Sequence, residues 1–188
     1  MKKIMLFLMF LNFYVISAQI TDITVNKQKF ENSKFPFKGV RVLMVDNITA
    51  KNEENYFVFS KNKKDSEQDE LYVEQFTKEN GKWKLKVSEK IAEEDVITST
   101  WENRKSFADV DKDGKADVLL IFSKHEKGNM DNQLEVVQLL FHKHQLYWIS
   151  SKASTNYTED TFSKNFNELS TELQDFAIQF WNRLDKSK

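Results

Sequence analysis

The segment Leu71-Tyr72-Val73-Glu74-Gln75-Phe76, then Asn80-Gly81, then Lys82-Trp83-Lys84-Leu85-Lys86-Val87 constrains the fold more than any other part of the chain. Successive side chains of a strand point to opposite faces, so the strict polar–apolar alternation of 82–87 predicts a strand with one wet and one buried face. Asn and Gly both tolerate the positive φ of a type I′ turn, and an Asn-Gly pair between two such runs predicts an antiparallel hairpin. Further strands are expected at 40–45, 56–59, 96–100, 118–122, 134–141 and 146–149. The run 118–122 has no alternation and reads as a central strand buried on both faces. The last two strands flank His142-Lys143-His144-Gln145 and predict a second hairpin.

The period changes near the C-terminus. Leu169, Leu173, Phe176, Ala177, Phe180 and Leu184 recur at three- and four-residue spacings, which makes one apolar stripe on a helix spanning about 168–185. Ser170-Thr171-Glu172 or Asn167 would cap it, and Trp181 widens the stripe. So much aromatic surface has to be covered, which places the helix on the sheet. The predicted fold is therefore mainly β, an antiparallel sheet or sandwich packed by a C-terminal α-helix. An ungapped shift of 63 residues strengthens the pattern. It carries Asp46 onto Asp109, Phe59-Ser60-Lys61 onto Phe122-Ser123-Lys124, and Leu71, Val73 and Gln75 onto Leu134, Val136 and Gln138. It also carries Trp83 onto Leu146 and Leu85 onto Trp148. Two related strand–hairpin units, about 40–88 and 103–151, are expected within one β-rich domain, 19–188.

The N-terminus reads as a secretory signal peptide over 1–18. Lys2 and Lys3 precede an apolar run from Ile4 to Ile16 that only Asn12 interrupts, and Ser17-Ala18 supplies small residues for cleavage. The run is short for a membrane span, which favours a cleaved leader over an uncleaved anchor. The protein is thus expected to be exported, to the periplasm, the cell surface or the medium, with no membrane span after cleavage. The chain has no cysteine, which excludes disulfides, thiol catalysis and thiolate metal sites. Its formal charge of −1 becomes −3 once Lys2 and Lys3 leave, so no basic excess points to nucleic acid. Sixteen Phe against four Gly and one Pro argue for a packed domain. Lys63-Lys64 and Glu93-Glu94-Asp95 read as solvated loop surface.

The chemistry concentrates in Asp109-Val110-Asp111-Lys112-Asp113-Gly114-Lys115-Ala116-Asp117. Four carboxylates occupy positions 1, 3, 5 and 9, with glycine at position 6 for a sharp turn. Ca²⁺ takes six to eight oxygen ligands at about 2.3–2.6 Å, and alternate acidic residues supply them when the backbone curls around one point. Uncompensated, carboxylates so close would repel one another. Asp and Gly also favour plain turns, but four aspartates exceed what a turn requires. In the first unit the corresponding positions are Asp46, Ile48, Ala50, Asn52 and Glu54, without carboxylates at 3 and 5, so one Ca²⁺ site per chain is expected. The loop is not an EF-hand, because Leu120 stands where that motif needs a bidentate Glu.

The stretch Phe107-Ala108-Asp109-Val110-Asp111-Lys112-Asp113-Gly114-Lys115-Ala116-Asp117-Val118-Leu119-Leu120 resembles the calcium loop of FG-GAP and VCBS-type repeats, with Ala108 where that pattern has glycine. The resemblance implies that Asp109, Asp111, Asp113 and Asp117 give side-chain oxygens and that Lys115 gives its backbone carbonyl. It covers the loop alone. Members of that family build propellers, and two units cannot close one, since about four blades are the minimum. More loosely, the layout is similar to small exported bacterial proteins labelled as surface-polysaccharide proteins.

Other chemistries are thinner. His142 and His144 would share a strand face as Zn²⁺ ligands can, but at a hairpin tip with no third ligand they read as surface residues. His125 is expected to be exposed. Glu93, Glu94 or Asp95 would serve a glycosidase only with a second carboxylate at a set separation. No G-x-S-x-G, H-E-x-x-H or phosphate-cradling glycine loop is present. Trp101, Tyr147 and Trp148 would suit sugar stacking, although Trp in strands is more often core. Two functions follow. One is a non-enzymatic exported calcium-binding β-module that presents its sheet to a protein or glycan at the cell envelope. The alternative is a hydrolase or surface-polysaccharide enzyme with a structural or bridging calcium, which requires a cleft lined by two carboxylates outside the loop.

Overall fold

The computed structural model describes residues 20–187, so the signal peptide expected at 1–18 lies outside them. Ten strands form two five-stranded antiparallel meanders. The first sheet runs in order through β1 (Thr21–Ile23), β2 (Arg41–Thr49), β3 (Glu54–Lys61), β4 (Leu71–Glu79) and β5 (Lys82–Ile91). The second contains β6 (Val96–Ala108), β7 (Asp117–Glu126), β8 (Asn129–His142), β9 (Gln145–Lys152) and β10 (Asp160–Phe162). A short helix, α1 (Lys27–Glu31), precedes β2, and α2 (Thr171–Asn182) ends the fold. The short edge strands β1 and β10 and the helix α1 have no periodic signal in the sequence.

The two sheets face each other across a shared core that includes Phe57, Phe59 and Val73 from one and Val118, Leu120, Phe122 and Phe141 from the other. The outer faces are covered as well. Phe30 of α1, with Phe35 and Phe37, packs on Val58 and Phe76. Leu173, Ala177 and Trp181 of α2 pack on Leu119, Ile121, Leu140 and Ile149. This double covering explains the unalternating run in β7: Val118, Leu120 and Phe122 face the shared core while Leu119 and Ile121 face α2, and all five are at most 2% exposed. A polar residue on either face would lose its hydration. The helix is shorter than its apolar stripe at both ends. Phe166–Glu168 forms a 3₁₀ turn, Leu169 is extended, and Ser170 occupies the N-cap.

The expected turn at Asn80-Gly81 is present, with φ of 50° and 74°. The alternation beyond it does not survive intact. The register slips between Gln75 and Phe76, so Leu85 pairs with Phe76 and Val87 with Gln75, and Lys86 bulges out. Trp83 therefore packs on the outer face against Tyr56, at 4.5 Å between ring centroids, while Val87 enters the shared core and Leu85 is left exposed. A bulge exchanges the faces of every residue beyond it.

The 63-residue offset has a counterpart in the topology. It carries the first residues of β3 and β5, Glu54 and Lys82, onto those of β7 and β9, Asp117 and Gln145. The pairing Glu79↔Lys82 falls onto His142↔Gln145. The units differ at the connection before the middle strands, residues 50–53 between β2 and β3 against 109–116 between β6 and β7. In the first unit, accordingly, no acidic loop forms: Asp46 and Ile48 lie within β2 and Glu54 within β3. Asp46 is 4% exposed and pairs with Lys105 of β6 across the sandwich.

Candidate metal centre

The longer of these connections carries Asp109, Asp111 and Asp113, and Asp117 opens β7 directly after it. Lys112 and Gly114, at φ of 59° and 84°, reverse the chain, and each carboxylate spends one oxygen on a loop amide. Asp109 Oδ2 accepts from Gly114 N at 3.0 Å and Asp111 Oδ1 from Asp113 N at 3.3 Å. Asp113 Oδ1 accepts from Lys115 N at 2.8 Å and Asp117 Oδ2 from Val110 N at 2.7 Å. Three of them converge: one carboxylate oxygen from each of Asp109, Asp111 and Asp117 lies within 4.8 Å of the others. Asp113 does not join this group; its Oδ2 turns instead toward Lys143 Nζ, at 3.5 Å. The amide of Lys115 is held by Asp113, in keeping with the tight turn.

Two neighbouring segments complete the centre, and neither was evident in the sequence. The β8–β9 hairpin tip reaches over the loop, with Lys143 and His144 at φ of 48° and 62°. Lys143 Nζ donates to Asp111 Oδ2 at 2.5 Å, and His142 Nδ1 donates to Asp117 Oδ1 at 2.6 Å. Burial alone would raise the Asp111 carboxyl, but Lys143 holds it below its ordinary range. The same contact raises the Lys143 ammonium. From the other sheet, the turn 50–53 clasps the loop. Asn52 N donates to Gly114 O at 3.0 Å, Asn52 Nδ2 donates to Asp113 O at 2.9 Å, and Ala116 N donates to Glu53 Oε1 at 3.3 Å. A Cβ on Gly114 would stand 2.3 Å from Asn52 Nδ2. Asn52 and Glu53 belong to the shorter, equivalent connection of the first unit, so the two connections meet at one end of the sandwich.

The donor set fits a hard divalent cation. All three converging groups are carboxylates, and 4.8 Å is the separation of two ligands on opposite sides of an ion at about 2.4 Å. Asp109 Oδ1 is buried without a hydrogen-bond partner, and such an atom is costly to leave unsatisfied. Asp109, Asp111 and Asp117 are the residues that would hold the ion.

The histidines depart from expectation. His142 is not a free surface group, since its side chain is 11% exposed against Asp117. His144 turns away from it, toward Gln75 and Thr77, whose side chains surround Asn55 Oδ1. Burial lowers the His144 imidazole below its ordinary range. His125 is 7% exposed rather than open to solvent, with Nε2 2.8 Å from Ser123 Oγ, which also accepts from Trp101 Nε1 at 2.9 Å. Ser123 is fully buried, so this Ser–His pair has no access to a substrate. Comparison of the chain with protein-family models, curated proteins and solved structures found no match.

Proposed function

We propose that this protein is an exported, non-enzymatic β-module with one Ca²⁺ site formed by Asp109, Asp111 and Asp117, acting through a protein or glycan partner at the cell envelope. The convergence of three carboxylates within 4.8 Å carries this reading. Bound there, Ca²⁺ would supply charge compensation to the loop and, through the clasp of Asn52 and Glu53, tie the two sheets at that end. The FG-GAP and VCBS-type resemblance of the loop points the same way. No helix among the described residues is long and apolar enough to cross a membrane.

The hydrolase alternative requires paired carboxylates in a cleft. Glu93 and Glu135 do line one, but Lys124 stands between them, bonded to both.

Thermal unfolding in EDTA, in millimolar Ca²⁺ and in millimolar Mg²⁺, beside Asp111→Ala, tests the site. A ligand at a hundred times its Kd adds about 2.7 kcal/mol to the native state, or roughly 5–10 °C for a domain of this size at about 2–4 °C per kcal/mol. A Ca²⁺-selective rise that Asp111→Ala abolishes is the expected result. Equal midpoints in Ca²⁺ and EDTA would reduce the loop to an acidic turn.

A further inference from the structure

A cleft of about 420 Å³ opens between the end of β5 and the inner face of the second sheet. Its floor is apolar. Phe122 and Leu139 are 2% and 3% exposed and continue into the shared core. Leu146 and Trp148 of β9 are only partly buried, because β5 is the last strand of its sheet and none follows to cover them. A volume of several hundred Å³ over an apolar floor with a few polar groups is the usual form of a small-molecule site.

The rim selects among ligands by charge. Glu89 is paired in register with Val73, whose side chain lies in the shared core, so the Glu89 carboxylate is directed between the sheets. It forms no ion pair among the described residues. An inward charge on an edge strand guards against edge-to-edge association, which accounts for Glu89 but not for the uncovered apolar floor behind it. Glu93, 49% exposed, stands at the mouth, and the deeper Glu135 is held 2.7 Å from Lys124. The two cations that line the cleft are paired: Lys124 with Glu93 and Glu135, and Lys90 with Glu70. Beyond Glu93 the acidic rim continues through Glu94 and Asp95. An anionic group at this mouth would meet carboxylates that outnumber the lining cations; a cationic one would meet Glu89, which has no ion pair among the described residues, with Glu93 beside it.

We propose that this cleft binds a small ligand with an apolar body and a cationic end, an ammonium or a guanidinium. The body covers Leu146 and Trp148, and the cation rests between Glu89 and Glu93 at the mouth. The site is independent of the aspartate loop and of any metal there.

Calorimetric titration of the protein in EDTA with octylammonium, octanoate and octyl glucoside, each below its micelle-forming concentration, tests the inference. Octylammonium is expected to bind at least tenfold more tightly than octanoate, with octyl glucoside between them. Glu89→Gln with Glu93→Gln should remove the preference for the cation, and Leu146→Trp, which fills the cleft, should remove binding of all three. The charge variants alter exposed positions only, so they keep the test open should Leu146→Trp unfold the domain. Equal affinities for the two charged probes, absence of binding at millimolar concentration, or octylammonium binding that survives in a folded Leu146→Trp protein would each overturn the proposal.

Discussion

Lys143→Met separates two roles that one ammonium plays at the aspartate loop. Its Nζ lies 2.5 Å from Asp111 and 3.5 Å from Asp113, on a side chain 49% exposed. Ion pairs so open to solvent contribute about 0.2–1 kcal/mol each, so in EDTA the substitution should cost about 1 kcal/mol. For a domain of this size that lowers the melting midpoint by roughly 2–4 °C. In Ca²⁺ the sign reverses. Lys143 occupies an oxygen of Asp111 that a cation would otherwise approach, and two unit positive charges about 4 Å apart repel by about 1 kcal/mol even at the dielectric constant of water. Removing the competitor should tighten Ca²⁺ binding several-fold, because about 1.4 kcal/mol is a factor of ten. Differential scanning calorimetry in EDTA and in Ca²⁺, with a Ca²⁺ titration of both proteins, reads the two effects separately. A variant that melts lower in EDTA and responds more strongly to Ca²⁺ supports the geometry. Weaker Ca²⁺ binding by Lys143→Met would refute the view that this ammonium competes with the ion.

Four further substitutions probe the frame. Gly81→Ala, at φ of 74° with nothing within 4 Å, should cost only the left-handed strain of about 1–2 kcal/mol, whereas Gly114→Ala also drives Asn52 from the loop and should lose clearly more in urea unfolding. Trp181→Ala empties a site 1% exposed between α2 and the second sheet and should cost about 3–5 kcal/mol, read as a lower urea midpoint. Glu74 is fully buried, with Oε2 bonded to Lys38 N at 2.9 Å and Oε1 unpartnered, and burial raises its carboxyl above the ordinary range. A raised acid binds its proton more tightly folded than unfolded, so its contribution is full below the unfolded value and is lost as pH rises through the folded one. Glu74→Gln should therefore gain stability relative to the native protein as pH rises from about 4 to 7, an interval bracketing ordinary carboxyl values and upward shifts. A constant difference across that interval would exclude a role for Glu74 ionisation.

The features legible in the chain before any tertiary contact are local and periodic. The positive φ that Asn80 and Gly81 tolerate, the double apolar run of β7 and the stripe from Leu169 to Trp181 each follow from steric preference and from which faces must leave water. The aspartate spacing likewise named the loop, because a turn around one point brings alternate carboxylates together whatever surrounds it. Which of them converge depends on the tertiary fold, in which Asp113 Oδ2 faces Lys143 at 3.5 Å instead. It also brought in His142 and Lys143 from the hairpin tip and Asn52 and Glu53 from the opposite sheet. These arrivals depend on strand register, and register is a non-local outcome: one bulge at Lys86 sends Trp83 outward and Val87 inward. The cleft beside Trp148 has the same origin, since it exists only because β5 is the last strand of its sheet. Nothing in β9 encodes how many strands will lie above it; that is settled when two meanders stack.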